Sequence, residues 1–213
     1  MFKYFFLIYP ILYLIVLITG FINYSKIKNS LYLKLFLVFN AYSLLTEISG
    51  FIIGVMYKIN TFPLFNTWNL TNHFFYLFFF LHLLNNKFKQ NIIKFIIISY
   101  AIFTILVITF YYSFVNKFLY LNTVIGSILI VIAVLIYYSE LLQSDEILSQ
   151  QRSMFFWRSL GVLLFNIGFI PVYIIAEFIA FGGIFNIIAL FLNLLMVGCF
   201  ITGFILCEKV HKK

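Results

Sequence analysis

The chain has 213 residues, of which 64% are hydrophobic and 9% charged, and its formal net charge is +8. Globular domains average roughly 45–50% apolar and about 25% charged residues, so a chain this apolar lacks the polar surface to cover itself in water. The basic surplus does not mark a nucleic-acid binder, because Lys and Arg are scattered over short connecting segments and not gathered on one face among aromatics; the partner these numbers imply is a lipid bilayer with anionic headgroups, and no nucleic acid.

Seven apolar segments run along the chain, roughly 5–23, 31–57, 66–86, 92–113, 119–142, 154–180 and 184–207. An α-helix needs about 20 apolar residues to cross hydrocarbon, and a barrel strand about 10. The segment lengths therefore predict helices, although β-branched and aromatic residues are abundant. No Pro/Gly/Ser-rich linker interrupts the sequence. Residues 1–213 are expected to form one all-α integral membrane bundle of seven transmembrane helices, with antiparallel neighbours joined by short loops.

Lys3 ahead of the first apolar core raises the alternative of a cleaved signal peptide. No small-x-small pattern follows Gly20, and cleavage would leave Lys26, Lys28 and Lys34 on the wrong side, so the first span is read as retained. After the odd-numbered spans come Lys26, Lys28, Lys34, Lys87, Lys89, Lys94, Arg152, Arg158, Lys209, Lys212 and Lys213. That is eleven basic residues against three, Lys3, Lys58 and Lys117, on the other side. Excess Lys and Arg mark the cytoplasmic side. The N-terminus is expected outside and the C-terminus in the cytoplasm, in the inner (cytoplasmic) membrane.

The second span reads "FNAYSLLTEISGFIIG" from Phe39 to Gly54. Asn40, Ser43, Glu47, Gly50 and Gly54 recur at three- and four-residue spacing and share one helix face. Small and polar residues are how a membrane helix meets other helices. Glu47 is therefore expected to point inward. An ionisable group near mid-membrane costs at least about 2.5–3.5 kcal/mol on insertion scales, which makes it a functional candidate that must be partnered, protonated or hydrated.

In the third span, Trp68, Asn72, Phe75, Phe79, His82 and Asn86 form one stripe, and Asn69, His73 and Tyr76 its neighbour. Counting helical rise from the span midpoints places Glu47, Asn72 and His73 about 4–6 Å outside the bilayer centre. A Glu47–His73 or a Glu47–Asn72 contact fits equally well. In the sixth span Asn166, Tyr173 and Glu177 share a face near Pro171, and Asn193 lies at similar depth in the seventh. With Glu47, Asn72 and His73, the residues Asn166, Tyr173 and Asn193 would line a polar cavity in the outer half. For the Asn residues the plainer role is interhelical hydrogen bonding, roughly 0.6 kcal/mol each. At the cytoplasmic side Glu140 ends the fifth span and Asp145, Glu146 and Arg152 follow; a structural ion pair of Glu140 with Arg158 would lock two helix ends.

Several chemistries lack their residues. The last span holds no lysine for a retinal Schiff base, and the one Asp, Asp145, cannot make an aspartyl pair. There is no H-E-x-x-H or G-x-S-x-G stretch. His73, His82 and His211 stand at different depths, and Cys199 and Cys207 are about 12 Å apart in helical rise. No metal and no cofactor is expected.

The stretch "SMFFWRSLGVLLFNIGFIP" follows a fifth span ending "YYSELL". Phe156, Trp157, Gly161, Phe165 and Gly168, with the polar stripe around Glu47, give a span plan that resembles small uncharacterised seven-span bacterial membrane proteins. Related arrangements form the membrane portion of sensor histidine kinases, from which this chain departs by ending at Lys213 without a catalytic domain. The resemblance implies sensing, without naming a signal. The leading expectation is thus a non-enzymatic sensing, ligand-binding or partner-binding module for a small or lipidic ligand or a membrane protein partner. The alternatives are a lipid-acting enzyme using Glu47 and His73 as an acid/base pair, and a proton-coupled carrier.

Overall fold

The structure, a computed structural model, describes residues 5–110, 113–143, 153–178 and 183–207, with side-chain detail from Ile8 onward. Asp145, Glu146, Arg152, His211, Lys3 and the lysines after Cys207 lie outside the described residues. Among the described residues all regular structure is helical: α1 (Phe5–Ile22), α2 (Tyr24–Ile27), α3 (Leu31–Phe51) running into a π-helical turn (Ile52–Met56), α4 (Phe62–Leu83), α5 (Lys87–Phe110), α6 (Tyr120–Leu141), α7 (Met154–Phe178) and α8 (Ile184–Leu206).

Local chemistry sets the helix boundaries. Ser30 starts α3 by accepting a hydrogen bond from the Leu33 N–H at 3.4 Å. Asn60 Oδ1 accepts from the Phe62 N–H at 2.9 Å, and Pro63 occupies the first turn of α4, where its missing N–H costs no helical bond. Asn86 Oδ1 accepts from the N–H groups of Phe88 (2.9 Å) and Lys89 (3.3 Å) and so starts α5. This cap brings the polar stretch Lys87–Asn91 into the helix, five residues before the apolar segment that begins at Ile92. Hydropathy marks the part of a helix that lies in lipid; the cap marks where the helix begins.

Five helical segments are long and apolar enough to cross a membrane: Leu31–Met56, Lys87–Phe110, Tyr120–Leu141, Met154–Phe178 and Ile184–Leu206. The apolar stretch Ile8–Ile22 of α1 is shorter. α4 falls outside this set because Asn66, Asn69, Asn72, His73 and His82 dilute its Phe-rich sequence.

Burial runs opposite to the pattern of a water-soluble domain. Asn40, Ser43, Asn66, His73, Asn122, Ser127 and Arg158 are buried, while Phe95 is 71% exposed and Ile105 63% exposed. Interior polar groups and an apolar exterior are what a hydrocarbon solvent selects. The chain is an all-helical, multi-pass membrane protein.

It divides into two compact units, one comprising Met1–Ile59, Leu148–Phe165 and Gly182–Lys213, the other Asn60–Ile147 and Asn166–Phe181. In the first, α1 packs against α3 and α8. Phe36 is its buried hub, edge-on to Phe200 with ring centroids 5.0 Å apart. Gly161 lets α7 approach α8 closely, since a Cβ there would sit 3.0 Å from Cys199 Cβ and 3.1 Å from the Met196 carbonyl. Lys26 Nζ donates to the carbonyls of Phe204 (3.2 Å) and Ile205 (2.8 Å), placing a cation on the C-terminal end of α8. In the second unit, α4 packs on α5 and α6, and α5 on α6.

Candidate functional site

The polar stripe of α3 lies in the first unit. Its hydroxyl and amide groups close bonds on their own helix: Asn40 Nδ2 donates to the Phe36 carbonyl (2.8 Å), Ser43 Oγ to Phe39 (3.0 Å) and Thr46 Oγ1 to Tyr42 (3.0 Å). A hydroxyl or amide donor four residues along a helix can use that carbonyl; a carboxyl group can do so only when protonated. Glu47 is therefore different in kind from its stripe. It is partly buried, it interacts electrostatically with Tyr9 of α1, and no hydrogen bond reaches its carboxylate from another described residue. The π-helical turn begins five residues later, and Lys58 just beyond it takes a left-handed φ of 56°. π-Turns inserted in α-helices recur at functional sites. On α8, Asn193 is buried and donates to the Ala189 carbonyl at 2.8 Å.

The second unit holds a connected polar core between α4, α5 and α6. Tyr100 of α5 places its hydroxyl 2.8 Å from His73 Nδ1 of α4. Asn122 Nδ2 of α6 donates to that hydroxyl at 2.9 Å, and the Asn122 carbonyl lies 3.3 Å from it. Thr104 Oγ1, one turn along α5, donates to Asn122 Oδ1 at 2.9 Å. His73, Tyr100 and Asn122 are each about 1% exposed. The imidazole stands edge-on to the Tyr100 ring at 88° and presses against α6 at Gly126, where a Cβ would lie 2.5 Å from Nδ1.

A second Asn pins the connection between α5 and α6. Asn66 Nδ2 donates to the carbonyls of Phe114 (2.9 Å) and Lys117 (2.8 Å), while its Oδ1 accepts from the Leu119 N–H (3.1 Å). Asn60 Nδ2 adds a bond to the Val115 carbonyl at 2.7 Å.

The six residues proposed to line a polar cavity thus divide between the units. Glu47 and Asn193 belong to the first; Asn72, His73, Asn166 and Tyr173 belong to the second. Asn72 and Asn166 are buried, and Tyr173 packs on Phe169 and Phe118 with centroids 5.0 Å and 6.1 Å apart. Of the two expected partners of Glu47, His73 has its Nδ1 engaged by Tyr100. The Glu140 carboxylate accepts from the backbone N–H groups of Asn85 (2.6 Å) and Asn86 (3.4 Å), at the turn leading into α5. Arg158 is fully buried, with its guanidinium carbon 3.5 Å from the centroid of the Phe36 ring. Such a contact stabilises a desolvated cation by about 2 kcal/mol.

Tyr100, Thr104 and Asn122 were not singled out from the sequence. The four-residue spacing of Tyr100 and Thr104 in an apolar span was the available signal. Among the described residues no group of three or more His, Cys, Asp or Glu side chains is placed to hold a metal ion. No family model, curated protein or solved structure matches the chain.

Proposed function

We propose that the chain is a non-enzymatic membrane module that binds a small or lipidic ligand, or a membrane protein partner, through the α3 face carrying Glu47, and relays that state across the bilayer. The proposed frame is seven crossings of the inner membrane, with α1 and α4 added to the five long apolar helices, the N-terminus outside and the C-terminus in the cytoplasm. The 22 residues of α4 rise about 33 Å, enough for a hydrocarbon core of about 30 Å. The distribution of Lys and Arg supports the orientation, and the likeness to the membrane portion of seven-span sensors supports a relay.

One observation carries the reading: along α3, Asn40, Ser43 and Thr46 each donate to a carbonyl of their own helix, whereas Glu47 makes no such bond. A carboxylate in a membrane-crossing segment costs at least about 2.5–3.5 kcal/mol, which a packing role alone does not offset. Purified protein in nanodiscs, screened by thermal shift against a lipid and small-molecule panel and by pulldown for membrane partners, tests it. Glu47→Gln is expected to abolish the wild-type ligand shift or partner capture. Equal behaviour of the two proteins removes Glu47 from the function.

A further inference from the structure

We propose that Tyr100 fixes which ring nitrogen of His73 carries hydrogen, so that His73 acts as a hydrogen-bond donor through Nε2 and not as a base. The argument is independent of Glu47. It starts at Thr104, whose single hydroxyl hydrogen goes to Asn122 Oδ1 at 2.9 Å. That bond orients the Asn122 amide so that its Nδ2 faces the Tyr100 hydroxyl, 2.9 Å away, and an amide nitrogen only donates. The Tyr100 oxygen is thereby an acceptor; the Thr104 hydroxyl, its own hydrogen committed to Asn122, also lies beside it, and the acceptors within bonding distance of the Tyr100 hydrogen are His73 Nδ1 at 2.8 Å and the Asn122 backbone carbonyl at 3.3 Å.

The two choices are unequal. An O–H donor prefers an acceptor near 2.7–2.8 Å and weakens well before 3.3 Å. Sending the hydrogen to Nδ1 makes every bond of the chain Thr104–Asn122–Tyr100–His73 run in one direction. Sending it to the carbonyl requires Nδ1 to carry hydrogen, crowds two donors onto the phenol oxygen and leaves the longer bond to hold the network. In a desolvated setting a mismatched pair costs about 1–3 kcal/mol. The first arrangement wins, and hydrogen resides on Nε2. The ring lies against Gly126 of α6, where any Cβ would collide with it.

Tyr100 is thus a positioning residue. Through it the Nδ1 of His73 is engaged in the interior as an acceptor, and the ring hydrogen is left to Nε2.

Nitrogen-15 NMR of protein labelled at histidine, in nanodiscs, tests the assignment, with His82→Gln and His211→Gln identifying the His73 signals. The wild type is expected to show a protonated, pyrrole-type Nε2 and a pyridine-type Nδ1 displaced by an accepted hydrogen bond. Tyr100→Phe is expected to move Nδ1 back toward the value of a free pyridine-type nitrogen. A pyrrole-type Nδ1 in the wild type, or an Nδ1 signal indifferent to Tyr100→Phe, overturns the proposal. Should Tyr100→Phe fail to fold, the wild-type spectrum alone decides: a pyridine-type Nδ1 displaced by an accepted hydrogen bond supports the assignment, and a pyrrole-type Nδ1 refutes it.

Discussion

At the scale of single residues, two glycines in different helices separate space from helix propensity. Gly126 has the His73 ring against it, whereas Gly198 on α8 has nothing within 4 Å of where a Cβ would stand. Alanine at 126 must displace a buried ring that is itself held by Tyr100, and overpacking of that kind costs about 1–3 kcal/mol. Alanine at 198 meets open space and relieves the flexibility of a helical glycine, which is worth up to about 1 kcal/mol. Thermal unfolding in detergent should therefore show a lowered midpoint for Gly126→Ala and an unchanged or raised one for Gly198→Ala. Equal shifts would mean that His73 does not pack on α6 as described.

At the scale of elements, the connections between helices are held by side chains that replace missing backbone partners. Asn66 supplies two donors and one acceptor to the segment between α5 and α6. Asn66→Ala leaves the Leu119 N–H without its acceptor, at a cost of about 1–3 kcal/mol for the buried groups stranded. Hydrogen exchange should accelerate in residues 113–119 while the middle of α6 stays protected; uniform acceleration would contradict a local clamp. Glu140 plays the matching role at the other end of the same helices, where an acceptor faces the unsatisfied N–H groups ahead of α5. Glu140→Ala should weaken this turn by about 0.3–1 kcal/mol, and Glu140→Gln by less because a side-chain acceptor survives. Exchange at the Asn85 and Asn86 amides is the readout, and unchanged exchange in the alanine variant would sink it.

At the scale of the whole molecule, the arrangement of polar and apolar side chains makes hydrocarbon part of the folded state. Exposed Phe95, Ile105, Phe191 and Ile187 would face water unfavourably, while Asn40, Asn66, Asn122 and Arg158 are withdrawn into the interior. The protein should remain in the membrane pellet after alkaline carbonate washing and leave it only with detergent. Its proposed topology is checked by single cysteines introduced at Lys58 and Lys117, after replacement of Cys199 and Cys207. Both are expected to react with a membrane-impermeant maleimide from outside intact cells, and a cysteine at Lys87 to be shielded. Labelling at Lys87 from outside would reverse the orientation and the depth assigned to every polar side chain.

The sequence by itself determined the solvent, the helical class and the approximate place of each apolar segment, because these follow from composition and from runs of about 20 residues. It also made Glu47 conspicuous, since a carboxylate amid apolar residues is costly wherever the helix goes. Tertiary structure decided what the polar groups meet. Sequence spacing assigns a side chain to a face but not to a neighbour. At similar depth His73 and Asn72 were equal candidates to meet Glu47, and the His73 ring bonds to a tyrosine that no motif flags. Glu140 and Arg158 share the same limit: both are visible as charges, but backbone N–H groups and an aromatic ring are contacts that only three-dimensional packing supplies. The reason is physical. Membrane helices read alike along their length, and interhelical specificity rests on a few hydrogen bonds and close approaches at small residues such as Gly126 and Gly161.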